Sequence, residues 1–165
     1  MTSFKKLSSI MVLLLMFTGC SSKNNGKEEV VNLYFSDSNA EYLIGEERYI
    51  EDATPQKAIQ ALIEGPKSKE LISSLPKELE ILDVSVKDEV AYVYIYESVP
   101  LAEHGIYGSS TATKTIINSI SSTLILNENF GIKKVKLEGD IGDILYGIDI
   151  NELFDVDMDL IKANR

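Results

Sequence analysis

The chain has little of the side-chain chemistry on which metal sites and many enzymes depend: its 165 residues include one cysteine, one histidine and no tryptophan. A single cysteine excludes a disulfide within the chain, and one cysteine with one histidine supplies too few ligands for the usual zinc sites. No Gly-x-Ser-x-Gly nucleophile motif is present either. The fold must therefore rest on its apolar core, which a 44% hydrophobic composition supports.

Basic residues are also scarce relative to acidic ones. Lysine and arginine number 16 against 26 aspartates and glutamates, which gives a formal charge of −10. This balance argues against nucleic acid as a partner, because phosphates attract basic surfaces. It argues equally against electrostatic docking on anionic lipid headgroups. An acidic surface mainly favours solubility, so the charge excludes partners without identifying one.

No apolar run in the chain is long enough to span a bilayer. Residues 10–17 are uninterruptedly apolar and follow Lys5 and Lys6, which is the arrangement of a bacterial export signal. A membrane-spanning helix needs about 20 apolar residues, and the residues from Ser21 onward are polar. The segment is therefore predicted to be exported and cleaved rather than retained in the bilayer.

The residues at the predicted cleavage site, Phe17, Thr18, Gly19 and Cys20, resemble the lipobox of bacterial lipoproteins, although Phe17 stands where leucine is usual. The resemblance implies that Cys20 carries an S-diacylglycerol group, with acyl chains such as palmitate, and becomes the mature N-terminus. Two long chains give stable anchoring. The expected location is the outer face of the cell membrane. The alternatives are a buried free thiol or an ordinary secretory cleavage that leaves an unpaired cysteine.

These features predict four segments: a signal peptide at 1–19, a flexible tether at 20–29, a folded domain at 30–154 and an acidic C-terminal tail at 155–165. Loss of Lys5 and Lys6 with the signal peptide removes two positive charges and changes −10 to −12. The mature chain is then of ordinary single-domain size.

In the first half of the domain, the clearest element is a helix. Thr54 and Pro55 form an N-terminal cap, Gly65 and Pro66 form the stop, and the apolar residues between them share one face: Ala58, Ile59, Leu62 and Ile63. Extended segments are predicted at 30–35 and 42–50, and a short turn of helix with a loop at 67–78.

Residues 82–86 and 90–96 alternate between apolar and polar positions around a short polar turn, which predicts an antiparallel hairpin. Val84 and Val86 are expected in the core with Ala91, Val93 and Ile95. The opposite face carries Tyr92, Tyr94 and Tyr96. That row is either a binding face, since tyrosine offers rigid amphipathic contact area, or the outer face of a strand with high β-propensity.

A second helix is predicted at 111–127, with Ser109 or Ser110 as its cap and four apolar residues facing inward: Ile116, Ile117, Ile120 and Leu124. Strands at 132–137 and 144–150 follow, before the acidic tail.

Candidate catalytic groups are few. His104 lies in a loop near Ser109 and Ser110, but a hydrolase needs a base positioned against its nucleophile, so catalysis is not predicted here. The segment 105–114 lacks the Gly-Lys-Ser/Thr order of a phosphate loop. Thr111 and Lys114 lack the serine of the Ser-x-x-Lys pair.

A calcium site is also not predicted. Asp155, Asp157 and Asp159 alternate as an EF-hand loop does, but Leu160 stands where that loop needs glycine. We therefore predict a solvated tail there, no metal site and no cofactor.

Several short motifs occur in a characteristic order: Leu-Tyr-Phe at 33–35, Glu-Glu-Arg at 46–48, Glu-Gly-Pro at 64–66, the hairpin at 83–93, Phe-Gly-Ile-Lys-Lys-Val-Lys-Leu at 130–137 and Gly-Ile-Asp-Ile at 147–150. Together, over about residues 30–154, they resemble the GerMN domain of sporulation and spore germination lipoproteins. The resemblance implies an α+β fold: a small antiparallel or mixed sheet with two helices on one face. Its αββαβ core would be similar to ring-building motifs, with flanking strands at both ends. It also implies no catalytic residues, and only one copy of the domain is present where some relatives carry two.

The resulting functional prediction is a lipid-anchored extracytoplasmic assembly or scaffold protein, with sporulation or envelope proteins as partners and self-association into rings. Two other classes remain open. A solute- or glycan-binding lipoprotein would show a deep pocket containing Tyr107 or the tyrosine row. An envelope hydrolase would place His104 within hydrogen-bond reach of a serine and an acid.

Overall fold

The computed structural model describes residues 26–77, 79–97, 110–139, 144–145 and 148–162. Two α-helices and nine β-strands lie within these residues. In chain order they are β1 (Glu28–Asp37), β2 (Leu43–Glu51), α1 (Pro55–Glu64), β3 (Leu71–Ile72), β4 (Leu79–Lys87), β5 (Val90–Glu97), α2 (Ser110–Ile125), β6 (Lys134–Gly139), β7 (Ile144–Leu145), β8 (Ile148–Asp149) and β9 (Leu153–Phe154). Neither α1 nor α2 is long and apolar enough to cross a bilayer.

The strands form two main sheets and one small hairpin. One sheet has the order β2-β1-β3, the second has the order β4-β5-β6-β9, and β7 pairs with β8. All pairings are antiparallel except β5 with β6, which are parallel because α2 connects them as a crossover. The predicted α+β class is confirmed. The expected αββαβ order is present with the two-residue strand β3 added after α1, and the single expected sheet is divided into two.

The two helices lie between the sheets. Helix α1 contacts β4 and β1, and α2 contacts β1 and β6 as well as α1. The core between these layers comes from alternating positions of the strands and one face of each helix, which are buried together: Val31, Leu33, Phe35, Ala58, Ile59, Leu62, Ala91, Val93, Ile95, Ile116, Ile117, Ile120, Leu124, Val135 and Leu137.

Helix α1 begins and ends where local sequence signals predict. The Thr54 hydroxyl accepts a hydrogen bond from the Lys57 backbone N–H at 3.2 Å, and Pro55 occupies the first turn. Gly65 has a φ of 88° and its N–H donates to the Leu62 carbonyl, a conformation that glycine adopts at low cost. Ile63, which we expected on the buried face, is 41% exposed.

The predicted β4–β5 hairpin is confirmed, but the buried residues of β4 differ from those predicted. The pairing shifts between Ile81 and Asp83, so that Leu82 forms a β-bulge and is exposed. Ile81, before the bulge, is buried, whereas Val86 is 45% exposed because it lies beside the turn at the end of the hairpin. The prediction that Val86 belongs to the core is therefore wrong.

Other segment predictions also differ from the structure. The segment 67–77 contains strand β3 and no helix, and the predicted strand at 144–150 consists of β7 and β8. The predicted tether ended at residue 29, yet β1 begins at Glu28, where cross-strand pairing with Glu51 begins.

The C-terminal segment 155–162 packs against the domain, contrary to the expectation of a solvated tail. Asn118 of α2 donates from Nδ2 to the Asp157 carbonyl at 3.1 Å, and its Oδ1 accepts the Asp157 N–H at 2.8 Å. Ile161 then pairs with Leu43, and the Lys162 N–H donates to the Leu43 carbonyl at 2.9 Å. The ordered domain therefore continues at least eight residues past the predicted boundary, to Lys162.

Candidate functional site

The tyrosine row lies on the face of the four-stranded sheet opposite the helices. Ala91, Val93 and Ile95 of β5 point into the core and are fully buried. The alternate residues of the strand point the other way, and Tyr94 and Tyr96 are each 41% exposed. Strand geometry therefore leaves an aromatic face that α1 and α2 do not cover.

Carboxylates border this row on both neighbouring strands. In the strand register, Tyr94 lies between Asp83 of β4 and Glu138 of β6, and Tyr96 lies beside Glu80 of β4. All three acidic residues are exposed. Among the described residues, their carboxylates make no ion pair or hydrogen bond. These five residues, Glu80, Asp83, Tyr94, Tyr96 and Glu138, are called the acidic tyrosine face below.

A lysine beside the row is already engaged. Lys136 of β6 lies next to Tyr92, and its Nζ donates to the backbone carbonyls of Ile150 and Asn151. Its ammonium group therefore holds the segment before β9 against the sheet. The net character of the face around Tyr94 is acidic and aromatic.

A second feature joins two motifs that are distant in sequence. Glu46 and Arg48 of β2 form an ion pair with an N–O distance of 2.6 Å, and their side chains are 14% and 7% exposed. Arg48 also donates to the Gly65 carbonyl at 2.8 Å. Glu46 accepts the backbone N–H groups of Lys67 and Ser68. The pair thus fixes the loop after α1 to the sheet.

Electrostatics favour the charged form of Glu46. Its burial opposes ionisation, but the N–H groups of Ser68 and Lys67 and the Arg48 guanidinium outweigh it, so the pKa of Glu46 is lowered. The Glu-Glu-Arg and Glu-Gly-Pro motifs are therefore in contact because Glu46 and Arg48 hold the loop after α1 by hydrogen bonds. Both motifs are recognisable in the sequence, but their spatial pairing is not, because it joins segments that are distant along the chain.

An open cleft of about 770 Å³ lies beside the β1–β2 hairpin, and its lining includes Asp37, Glu46, Glu70 and Lys162. The Asp37 carboxylate accepts the N–H groups of Glu41 and Tyr42. The Glu41 N–H is the main cause of the lowered pKa of Asp37. Asp37 thus stabilises the hairpin loop. The cleft is not the deep aromatic pocket of a glycan-binding lipoprotein, and the tyrosine row lies outside it.

The remaining candidates fall into two groups. Cys20, His104, Tyr107 and Ser109 lie outside the described residues, so their predicted roles stay predictions. The aspartates of the C-terminal segment have local partners: Asp155 pairs with Lys134 at 2.6 Å, and Asp157 caps the turn at Met158–Leu160 by accepting the Asp159 N–H. No cluster of three or more metal-ligating side chains occurs in the part of the chain that the structure describes.

The solved structures that are similar to this chain include the following three. One, from Clostridium perfringens and provisionally described as a lipoprotein, is 25% identical, with 79% of this chain and 89% of that chain covered and a TM-score of 0.50. The tandem GerMN domains of the Bacillus subtilis sporulation protein GerM are 15% identical, with 89% and 51% covered and a TM-score of 0.55. The first GerMN domain of that protein is 20% identical, with 68% and 83% covered and a TM-score of 0.47.

The second of these comparisons supports the GerMN-type fold, and this chain spans about half of that tandem chain. No curated protein matches. The family model called Germane, described as sporulation and spore germination, matches residues 32–140 and thus more than half of the sequence. That span includes both helices, the joined motifs at Glu46 and Gly65, and the tyrosine row. The chain therefore belongs to the Germane family of sporulation and spore germination domains.

Proposed function

We propose that this protein is a lipid-anchored, noncatalytic domain outside the cell membrane that acts by protein contact during sporulation or spore germination. The observation that carries the proposal is the face of the four-stranded sheet that α1 and α2 leave exposed. It presents Tyr94 and Tyr96 on the side opposite the packed helices. Tyrosines in such positions provide large contact areas at low entropic cost.

The anchoring part of the proposal rests on the lipobox resemblance at Cys20 and on the position of the first strand. Residues 21–27 separate Cys20 from β1. Seven residues span at most about 25 Å when fully extended. A lipid on Cys20 would thus keep the domain close to the membrane surface. The acidic charge of the chain supplies no attraction to anionic headgroups, so the lipid would provide the holding force.

The contact part of the proposal predicts that capture of a partner depends on the sheet face. Affinity capture from membranes of sporulating cells, with the full-length protein as bait, compares the wild type with Tyr94→Ala. Removal of the aromatic ring from the centre of the contact should abolish capture while the fold survives. Tyr49→Ala is the matched control, because Tyr49 is 68% exposed and lies on the other sheet.

Equal capture by wild type and Tyr94→Ala would contradict the proposed contact face. Loss of capture with both variants would contradict it as well, because the effect would not be specific to the four-stranded sheet. Circular dichroism of each variant shows whether the fold is retained.

A further inference from the structure

We propose that the acidic tyrosine face binds a basic segment of a partner protein, with a lysine or arginine side chain over Tyr94 between Asp83 and Glu138. The inference rests on the proposed function and specifies the chemistry of its partner. It is carried by the register of the three strands, which places an aromatic ring between two unpaired carboxylates.

The spacing within the sheet suits a cation. Directly opposed residues on neighbouring strands have Cβ atoms about 5 Å apart. A cationic group within about 6 Å of an aromatic ring gains a cation–π attraction. A cation over Tyr94 would therefore also lie close to the carboxylates of Asp83 and Glu138. Tyr96 with Glu80 repeats the combination two residues along β5, so successive basic side chains of one extended segment would find similar surroundings.

The negative charge of the acidic tyrosine face argues against a second copy of this chain, anionic lipids and acidic glycans as its partner. A second copy of this chain carries the same formal charge of −10 and the same acidic face, so apposition of two such faces brings like charges together. Anionic lipids and acidic glycans are repelled for the same reason. Lys136, the cation nearest to the row, is held by two backbone carbonyls and does not neutralise Asp83 or Glu138. A basic segment of a partner protein would complement the charge of these carboxylates.

The test titrates the full-length protein, purified in detergent, with a fluorescent peptide in which arginine alternates with glycine and serine. A second peptide carries glutamate in place of arginine. Fluorescence anisotropy measures binding at low and high salt. Binding of the arginine peptide only, weakening as salt rises, is the expected result, because surface ion pairs are screened. Equal binding of both peptides, or no binding of either, overturns the proposal.

Two sets of variants locate the site. Asp83→Asn with Glu138→Gln and Glu80→Gln removes three charges from the face. Glu41→Gln with Glu64→Gln and Glu70→Gln removes three exposed charges elsewhere. The first triple variant is expected to weaken binding roughly tenfold or more, and Tyr94→Ala several-fold. The control triple variant should bind as the wild type. Equal weakening by both triple variants would reveal nonspecific attraction and overturn the proposal.

The outcome is distinguishable from failure of the proposed function. If membrane capture depends on Tyr94 but neither capture nor peptide binding responds to the first triple variant, the contact face stands and the basic partner is wrong. Sedimentation analysis adds a further outcome: a dimer that dissociates on Tyr94→Ala would identify a second copy as the occupant and overturn the proposal.

Discussion

Asn127 pairs with Asn32 as one β-strand residue pairs with another. The Asn127 Nδ2 donates to the Asn32 carbonyl at 2.8 Å, and its Oδ1 accepts the Asn32 N–H at 2.9 Å. One turn earlier, Thr123 accepts the Tyr34 N–H, and one turn before that, Ser119 donates to the Tyr34 carbonyl. Polar side chains four residues apart, in and just after α2, therefore form hydrogen bonds with the backbone groups along the edge of β1 that does not pair with β2. An uncovered edge would be open to pairing with another chain.

Replacing Asn127 with alanine is expected to destabilise the protein by about 2–3 kcal/mol. Asn127 is only 5% exposed, so the change leaves both Asn32 backbone groups without their partner in a largely buried place. Urea denaturation monitored by circular dichroism measures the loss. Asn129→Ala is the matched control, because Asn129 is exposed and its one side-chain hydrogen bond, to Glu29, is 3.4 Å long. A similar loss in both variants would contradict the structural role of Asn127.

Two ion pairs of equal length should differ in their contribution to stability. Glu46–Arg48 and Lys134–Asp155 both have N–O distances of 2.6 Å, but the second pair is 42% and 63% exposed. Glu46→Ala leaves the buried Arg48 guanidinium without its carboxylate, with the Gly65 carbonyl as its remaining acceptor, and leaves two backbone N–H groups without theirs. It should cost about 3–5 kcal/mol. Lys134→Ala should cost less than about 1 kcal/mol. Chemical denaturation tests this ranking, and equal losses would contradict it.

The stability contribution of Glu46 should depend on pH. Its pKa in the fold lies below its ordinary value of 4.5, so the charged form contributes stability that is fully present above about pH 4.5. That contribution is lost as the pH falls through the lowered pKa. The difference in unfolding free energy between wild type and Glu46→Gln should therefore be largest near neutrality and shrink in acid. Asp37 and Asp155, whose pKa values are also lowered, are present in both proteins and cancel. A difference that grows in acid would contradict this assignment.

Cys20→Ser should release the protein from membranes, because serine has no thiol to carry the diacylglycerol. Fractionation of cells into membrane and soluble parts measures the release, and mass spectrometry of the wild-type protein identifies the lipid. Ser21→Ala, one residue further along, serves as the control and should leave the protein on the membrane. Retention of Cys20→Ser in the membrane fraction would contradict the lipid anchor.

His104→Ala should leave sporulation and germination unchanged, since the proposed function uses no general base. Counts of heat-resistant spores and their germination provide the measurement. Loss of function in a variant that still folds would favour the envelope hydrolase, and restoration by glutamine at position 104 would instead indicate a hydrogen-bonding role.

Local signals were sufficient for several elements. Thr54, Pro55 and Gly65 define α1 because caps act on the backbone within one turn. The alternation of β5 predicted the buried Ala91 and Val93 and the outward tyrosines, because successive residues of a strand face opposite sides. The core face of α2 followed from its helical spacing in the same way.

The missed features depend on partners distant in the sequence. The bulge at Leu82 arises from the pairing of β4 with β5. Because of it, the buried residues of β4 are Leu79 and Ile81, whereas the predicted core residue Val86 is exposed. The spacing of four residues places Ser119, Thr123 and Asn127 on one side of α2 and its continuation. The sequence alone does not show that the backbone of β1 is their partner.

The sequence by itself determined the boundaries of α1 and the face on which the tyrosines lie, since each follows from residues close together along the chain; the lipid anchor at Cys20 stays a prediction of the same local kind. Only the tertiary structure decided which carboxylates flank Tyr94, which loop Glu46 and Arg48 hold, and where Asp157 and Ile161 dock. Those relations join residues tens of positions apart. Packing and hydrogen bonding between whole elements select them, and no local pattern specifies that choice.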